Sequence, residues 1–241
     1  MKTLYNGKTK TVMLDEATGV VNLFFKDSAT GENGVFDPGS NTVGGSVEGK
    51  GKIGLKISKH FFEIMEKNGI PTHYLGADVE QGLMQVRKLT VPKLEFVLRY
   101  YTAGSMCRRF SLEEGIVFDA PTIEFSYKND DLGDPLMNSY HALALKLATQ
   151  EEIDLIKKYA FMVNDLLKGF MKEIGIDLVD FKLEFGKTAD GTIVLADEIS
   201  PDTCRLWDET THEKLDKDRF RRDMGGAEEA YEEVMRRLMG E

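Results

Sequence analysis

The sequence predicts an α+β fold with two lobes, on two observations. Strand patterns dominate the first half of the chain, and helical patterns mix with strands only in the second half. This order favours α+β over an α/β sheet, in which strands and helices alternate regularly. The chain has 241 residues, of which 41% are hydrophobic, enough to build a sizeable core in one large domain or two small lobes.

Short apolar and alternating runs predict strands in the first half, at 3–5, 11–14, 20–26, 73–75, 84–89 and 95–101. A glycine-rich stretch at 31–51 predicts a long loop. An amphipathic pattern predicts a helix near 57–67, which Asn68 and Gly69 end. The first half is therefore predicted to be rich in strands.

Two further helices are predicted in the second half. Thr149 and Glu152 form a capping box, in which each side chain satisfies a backbone N–H of the other. The helix that begins there runs to about Ile174 with apolar residues at helical spacing, so its apolar face belongs to the core. A last helix is predicted at 227–238.

Between these helices, DFKLEFGKTADGTIVLADEIS predicts a β-hairpin with an Asp-Gly turn at 190–191. Alternate side chains of a strand share a face, so Asp180, Lys182 and Glu184 line one face and apolar residues line the other. The second strand is apolar on both faces and ends at Asp197. Strand interiors rarely carry this much charge without a partner.

Glu184 and Asp197 are predicted to meet across the hairpin, on the same side of the sheet. Two facing carboxylates repel each other unless a cation lies between them, and Mg²⁺ bound by one or two carboxylates and nucleotide phosphates is a common arrangement. The alternative is a solvated polar face with an ion pair to Lys182.

Three other segments are candidate anion sites, each with an ordinary structural alternative. GKTK carries Lys8 and Lys10 in a glycine-containing turn, and DKDRFRRD carries Arg221 among other basic residues, either as a phosphate clamp or as a charged surface turn. Arg99 is followed by a small-residue loop that ends at Ser105, either an anion nest or a strand-to-helix turn.

Composition excludes several classes of protein. No run of 18 apolar residues is present, and the N-terminal MKTLYNGKTK has no apolar signal core, so neither a membrane helix nor export is expected. The two cysteines fit no disulfide or metal pattern, which favours free thiols in a reducing cytoplasm. A net charge of −10 argues against nucleic-acid binding, and any phosphate site must be built from a local basic cluster.

Seven segments together resemble the SAICAR synthetase (phosphoribosylaminoimidazole-succinocarboxamide synthase) family, in the family's order and over nearly the whole chain. They are LYNGKTK, GIPTHYLG, RYYTAGS, YKNDDLGDP, LVDFKLEFG, LADEISPDTCRLWD and LDKDRFRRD. The resemblance implies an antiparallel, nucleotide-covering N-terminal lobe at 1–90 and a larger mixed α/β lobe at 91–241 that binds substrate and metal. ATP would lie in the cleft between the lobes.

The resemblance also implies a reaction, in which ATP, L-aspartate and carboxyaminoimidazole ribotide give SAICAR, ADP and phosphate. The imidazole carboxylate would be phosphorylated and then attacked by the amine of aspartate. It implies the following roles, by position: Lys8, Lys10 and Lys88 for ATP; Glu184 and Asp197 for Mg²⁺; Arg99, Ser105, Asp180, Lys182, Arg205 and Arg221 around the ribotide, with Asp180, Lys182 and Arg205 catalytic; and Lys128 and Asp134 for substrate, near aspartate.

The chain departs from the family pattern between residues 31 and 55 and at Tyr100, where asparagine is frequent. A related carboxylate–amine ligase, a small-molecule kinase and a catalytically idle nucleotide-binding protein are the alternatives. The family implies a cytoplasmic homo-oligomer, often a homodimer, whose partners are small molecules rather than membranes or nucleic acid.

Overall fold

The computed structural model describes residues 1–30 and 43–240. The strands are β1 (Lys2–Asn6), β2 (Lys10–Leu14), β3 (Val21–Phe25), β4 (Ser28–Thr30), β5 (Val43–Ser46), β6 (Tyr74–Asp78), β7 (Leu83–Val86), β8 (Leu94–Tyr101), β9 (Val117–Tyr127), β10 (Leu136–Met137), β11 (Ile176–Lys187), β12 (Ile193–Ala196) and β13 (Cys204–Asp208). The helices are α1 (Lys50–Lys67), α2 (Ser105–Phe110), α3 (Ser139–Ala144), α4 (Gln150–Glu173), α5 (Asp218–Arg221) and α6 (Ala227–Met239), with a 3₁₀ turn at Asp130–Leu132.

Two antiparallel sheets dominate the described residues. The first has five strands in the order β1-β2-β3-β7-β6, and the second has six, in the order β10-β9-β8-β11-β12 with β13 also paired to β11. The predicted hairpin is formed by β11 and β12, with Glu184 opposite Ala196. Because β11 pairs with β8, β12 and β13, it is the strand that organises the second sheet.

The apolar core supports the long helix as predicted. Thr149 caps α4 through the predicted capping box, and the helix buries one face that includes Ile156, Ala160 and Val163. The core is continuous, since one apolar cluster contains both Phe62 of α1 and Phe181 of β11. The first sheet takes its strands from residues 2–86 and the second from residues 94–208, and the division into lobes at 1–90 and 91–241 stays a prediction.

The first helix begins earlier than the sequence pattern predicts. It starts at Lys50 rather than near residue 57, so the end of the predicted loop 31–51 is helical. The reason is close packing at Gly51, where an added Cβ would lie 2.6 Å from the carbonyl oxygen of Phe25. This glycine allows a helix to approach a strand, and its presence therefore does not indicate a loop. Residues 31–42 of that predicted loop lie outside the described residues.

Some of the remaining elements were predicted from the sequence, and others were not. The Asp-Gly turn and the last helix lie where they were expected, while β9 and β13 were not predicted as strands. Both cysteines are free. Among the described residues, every helix is too short or too polar to cross a membrane.

Candidate active site

A cleft of about 740 Å³ is lined by residues of both sheets. This volume is within the range of small-molecule sites, about 300–1,000 Å³. Of the residues predicted to form a site, the cleft is lined by Lys8, Lys10, Lys88, Arg99, Lys128, Asp134, Asp180, Lys182, Glu184, Asp197, Arg205 and Arg221. Ser105 is the one predicted site residue that is not part of this lining.

Glu184 and Asp197 are held by a shared ammonium group. Lys182 Nζ lies 2.7 Å from Glu184 Oε1 and 3.3 Å from Asp197 Oδ2. On its other side, Asp197 Oδ1 lies 2.8 Å from Lys10 Nζ, which also pairs with Glu198. The carboxylates of Glu184 and Asp197 therefore approach the same group on the polar side of β11, as the hairpin pattern predicts.

The backbone of Asp197 explains how it reaches that side. Glu184 pairs with Ala196, so the next residue of a regular strand would point to the opposite, apolar face. Asp197 instead has a φ of 64°, in the left-handed region. Aspartate is one of the few non-glycine residues that adopt this region. This one residue ends β12 and turns its carboxylate toward Lys10 and Lys182.

The charges in this group are mutually stabilised. Burial opposes the charge of Lys10 and of Lys182, but the neighbouring carboxylates raise the pKa of both above the usual lysine range. Burial likewise opposes the charge of Asp197, but Lys10, Lys182 and Lys128 lower its pKa well below the usual aspartate range. Lys10, Lys182 and Asp197 are therefore ionised at neutral pH.

The carboxylates of Glu184 and Asp197 fit a magnesium ion that takes only some of its ligands from the protein. Within residues 1–30 and 43–240, no three Asp, Glu, His or Cys side chains form a group that could hold a metal by themselves. Two carboxylates on one side of a cleft supply hard oxygen ligands but only part of an octahedral shell. Mg²⁺ commonly completes such a shell with phosphate oxygens and waters.

A second charged group surrounds Asp180, which is 2% exposed. Arg99 pairs with its carboxylate, and Arg205 Nη1 lies 3.0 Å from its Oδ2. Arg205 Nε also lies 2.9 Å from Asp218 Oδ2. Burial raises the pKa of Asp180, but the two guanidinium groups override it and the net pKa is lowered.

The small-residue loop at 102–105 positions Arg205. Gly104 has a φ of 54°, and a Cβ added there would lie 2.5 Å from Arg205 Nη2. Only a glycine leaves room for the guanidinium to pack against the loop. The loop is a strand-to-helix turn, and Ser105 Oγ accepts hydrogen bonds from Arg99 Nη2 at 3.3 Å and Arg109 Nη1 at 2.9 Å. Ser105 therefore helps to hold the guanidinium group of Arg99 in place.

Lys217 lies beside the arginines and lines the cleft. Its Nζ donates to the backbone carbonyl of Asp202 at 2.7 Å. Burial lowers the pKa of Lys217, and the nearby charges of Arg205 and Arg221 lower it further, to about 8. An ammonium that is close to losing its proton in a basic cluster gains most from an incoming anion.

Two further lysines of the cleft lining contact acidic groups. Lys8 Nζ, from the turn after β1, lies 2.8 Å from Asp130 Oδ1. Lys128 Nζ lies 2.5 Å from Glu184 Oε2. Asp134 Oδ1 accepts the Asn129 N–H at 2.8 Å, and its φ of 50° is left-handed. Lys88 is exposed.

Several cleft residues escape the sequence predictions. Glu95 lies 3.1 Å from Lys182 Nζ, and its spacing of four from Arg99 on β8 was a signal that both face the same side. Asp202 lines the cleft and pairs with Lys50, which falls inside the stretch predicted as a loop. Nothing in the local sequence of Asp202 distinguishes it from a surface charge, whereas Lys217 belongs to the basic run that was a candidate phosphate clamp.

Tyr100, which departs from the family pattern, faces away from the cleft. Its hydroxyl accepts a hydrogen bond from Asn164 Nδ2 of α4 at 2.6 Å, and Lys168 Nζ lies 3.9 Å from its ring centroid. Neighbouring residues of a strand point to opposite faces, so Arg99 reaches the cleft while Tyr100 packs against the helix.

The family model for SAICAR synthetase matches residues 3–238. The chain belongs to the SAICAR synthetase family. It is 51% identical over 235 residues to the phosphoribosylaminoimidazole-succinocarboxamide synthase of Coprothermobacter proteolyticus, covering 98% of this chain and 96% of the relative. The match confirms the family and the enzyme class predicted from the sequence, an ATP-dependent ligase of purine biosynthesis.

Solved structures of the family have the same fold. The crystal structure of the phosphoribosylaminoimidazole-succinocarboxamide synthase from Ehrlichia chaffeensis is similar with a TM-score of 0.91 at 37% identity, covering 99% of this chain and 98% of that chain. A SAICAR synthetase in complex with ADP is similar with a TM-score of 0.89 at 43% identity, covering 98% and 97%. The predicted α+β fold class is therefore confirmed.

Proposed function

We propose that this chain uses ATP to join the amine of L-aspartate to the carboxylate of carboxyaminoimidazole ribotide, releasing ADP and phosphate. One observation supports this proposal most directly. Strand β11 presents Asp180, Lys182 and Glu184 to a single cleft, so it links the arginine pair at one end to the acidic pair at the other. A phosphorylated substrate and a nucleotide can then bind side by side.

The chemistry requires activation of the ribotide carboxylate, because oxide is a poor leaving group. Transfer of the γ-phosphoryl group of ATP to a carboxylate oxygen forms an acyl phosphate and releases ADP. The aspartate amine then attacks the acyl carbon and loses a proton, and phosphate leaves. Phosphoryl transfer depends mainly on positioning and on charge neutralisation, which the cationic side chains of the cleft provide.

In this proposal, the nucleotide phosphates contact Lys8, Lys10 and Lys88. Glu184 and Asp197 hold Mg²⁺, which neutralises charge on the phosphates when it is bound. Lys10 has a second role, because its contact with Asp197 keeps that carboxylate ionised and in place. The similar SAICAR synthetase in complex with ADP supports a nucleotide in this cleft.

The ribotide binds at the arginine end of the cleft. Arg99, Arg205 and Arg221 offer guanidinium groups to its phosphate and carboxylate, in a geometry suited to planar anions. Asp180 fixes the first two arginines, and Lys182 lies between this end and the acidic pair. Lys182 is thus placed to neutralise the carboxylate that receives the phosphoryl group. Ser105 contributes by holding Arg99.

Aspartate binds near the mouth of the cleft. Lys128 is 42% exposed there, and Asp134 lines the same wall. The ammonium of Lys128 suits a carboxylate of the substrate aspartate, and the carboxylate of Asp134 suits the substrate's amine. The reaction takes place in the cytoplasm, in a homo-oligomer, with small molecules as its partners.

The decisive experiment is a product assay by mass spectrometry with ATP, the ribotide and L-aspartate. The succinocarboxamide and ADP are expected to form in equal amounts, and only when all three substrates are present. A phosphorylated product that forms without any amine would instead identify a small-molecule kinase. Asp197→Asn is expected to abolish turnover at saturating Mg²⁺. Unchanged turnover would show that Asp197 is not a ligand of the metal ion.

A further inference from the structure

A row of charged side chains crosses the second sheet. Arg99 of β8 lies opposite Asp180 of β11, and Asp180 lies opposite Arg205 of β13. On the other side of β8, Val97 lies opposite Glu124 of β9. Because Val97 and Arg99 are two residues apart on one strand, Glu124 shares the face of Arg99 and is its diagonal neighbour. The row therefore crosses four strands, with alternating charge at Glu124, Arg99, Asp180 and Arg205.

The carboxylate of Glu124 joins two arginines. Arg99 Nε donates to Glu124 Oε2 at 2.9 Å, and Arg109 Nη2 of α2 donates to Glu124 Oε1. The side chain of Glu124 is 11% exposed and that of Arg99 is 4% exposed. Arg109 Nη1 also donates to Ser105 Oγ, the atom that accepts from Arg99 Nη2. The four side chains therefore form a closed ring of hydrogen bonds.

This ring determines how the guanidinium group of Arg99 is oriented. A guanidinium group carries its five N–H donors in one fixed plane, so a partner at Nε sets the direction of the other four. Glu124 holds Nε of Arg99, and the two terminal nitrogens donate to Asp180 and Ser105. Arg99 lines the cleft, whereas Glu124 and Arg109 do not belong to its lining. Glu124 therefore acts on the cleft through Arg99.

We propose that Glu124, anchored by Arg109, is a positioning residue that fixes the plane of the Arg99 guanidinium at the ribotide end of the cleft. The inference rests on the proposed function, in which Arg99 binds the ribotide. Loss of the Glu124 carboxylate would remove the acceptor at Arg99 Nε, and the like charges of Arg99 and Arg109 would then repel each other across the ring. The guanidinium of Arg99 would turn away from the plane in which it meets the substrate anion.

The test is the steady-state kinetics of Glu124→Met, which keeps the length of the side chain but removes both acceptor oxygens. The KM for the ribotide is expected to rise about tenfold or more, because displacement of a substrate-positioning group is costly. The kcat and the KM for ATP are expected to change much less, because the nucleotide binds at the acidic end of the cleft. An unchanged KM for the ribotide, or equal rises in both KM values, would overturn the inference.

Glu124→Gln distinguishes a hydrogen-bonding role from simple packing. Its carboxamide oxygen can still accept from Arg99 Nε, so its KM for the ribotide should lie between that of the wild type and that of Glu124→Met. Equal KM values in the methionine and glutamine variants would contradict a role through this hydrogen bond.

Arg109→Met tests the same ring if Glu124→Met does not fold. The side chain of Arg109 is 31% exposed, so its loss should spare the fold, yet it contacts both Glu124 and Ser105. The KM for the ribotide should rise less than in Glu124→Met, because Glu124 keeps its bond to Arg99. Arg108→Met is the matched control, since Arg108 is exposed on the same helix. Equal KM values in the Arg109 and Arg108 variants would contradict the anchoring role.

Arg99→Lys separates this inference from the proposed function, because lysine keeps the charge but lacks the planar fork. If Arg99→Lys raises the KM for the ribotide while Glu124→Met does not, the positioning role fails and the ribotide site stands. If Arg99→Lys leaves that KM unchanged, Arg99 does not bind the ribotide and the inference fails with it.

Discussion

Lys128 Nζ lies 2.5 Å from Oε2 of Glu184, one of the two carboxylates proposed to hold a metal ion. An ammonium group and a divalent cation cannot both occupy this position without strong repulsion. The side chain of Lys128 is 42% exposed and long enough to move toward solvent. Lys128 and Mg²⁺ are therefore expected to compete for the same carboxylate.

Lys128→Met should accordingly tighten the binding of Mn²⁺ to the substrate-free protein, by about threefold to tenfold, since one competing charge is removed. The same variant should raise the KM for aspartate, if Lys128 moves to that substrate when metal binds. Titration of Mn²⁺ by electron paramagnetic resonance measures the first effect, and steady-state kinetics measures the second. Lys52→Met is the matched control, because Lys52 lies on the surface, where it pairs with an exposed Glu80. Weaker Mn²⁺ binding in Lys128→Met would show that Lys128 supports the site.

Asp180→Asn should destabilise the fold as well as ribotide binding. The substitution leaves the buried guanidinium groups of Arg99 and Arg205 without their shared carboxylate, which generally costs about 3–5 kcal/mol. The pKa of Asp180 in the folded state is lower than its value of about 3.9 in the unfolded state. The ionised carboxylate therefore stabilises the fold fully above about pH 3.9, and this stabilisation is lost as the pH falls through the folded-state pKa. Urea unfolding at several pH values measures both effects. The stability difference from the wild type should shrink toward low pH.

The exposed Asp119 of β9 provides the control for this prediction, since Asp119→Asn removes the same charge without a buried partner. Its unfolding midpoint should match that of the wild type. If Asp180→Asn unfolds at the same urea concentration as the wild type, the buried positive charges of Arg99 and Arg205 do not need the carboxylate of Asp180.

Lys217 should set the upper limit of the pH range for ribotide binding. Its pKa of about 8 means that it loses its positive charge as the pH rises through that value, while the substrate phosphate is already a dianion. The ratio kcat/KM for the ribotide should therefore decline above about pH 8, because this ratio reports the free enzyme. Lys217→Arg should remove the decline, since arginine remains charged. An unchanged pH profile in that variant would assign the decline to another group.

Gly104→Ala should weaken ribotide binding by displacing an arginine. The added methyl group would lie 2.5 Å from Arg205 Nη2, so the guanidinium must leave its position beside Asp180. A loss of about tenfold or more in kcat/KM for the ribotide is expected, because small displacements at a substrate-positioning group are costly. Gly191→Ala is the matched control, since Gly191 also has a positive φ but has nothing within 4 Å of an added Cβ. Equal losses in both variants would indicate that backbone strain alone is responsible.

Local patterns are enough to predict much of this molecule. The capping box at Thr149 determines where α4 begins, because its hydrogen bonds are made within four residues. The alternation along β11 predicts that Asp180, Lys182 and Glu184 share a face, because the two-residue period of a strand is a property of the backbone. Resemblance to a family then adds the chemistry of the site.

Other features depend on distant contacts that no local pattern carries. Gly51 resembles a loop residue in the sequence, yet it belongs to a helix because the backbone of Phe25 lies against it. The sequence leaves Lys217 open between a phosphate clamp and a charged surface turn, and only the structure shows that burial beside Arg205 and Arg221 lowers its pKa to about 8. Its surroundings come from segments that are brought together only by folding.

The sequence by itself determined the fold class, the family and which residues of β11 face the cleft, because these follow from periodicity and from motifs. Only the tertiary structure decided how Asp197 joins Glu184. Strand register would send Asp197 to the apolar face, and a left-handed backbone at this one residue reverses that direction. The reversal brings its carboxylate to Lys10 and Lys182, which are distant from Asp197 in the chain but close to it in space.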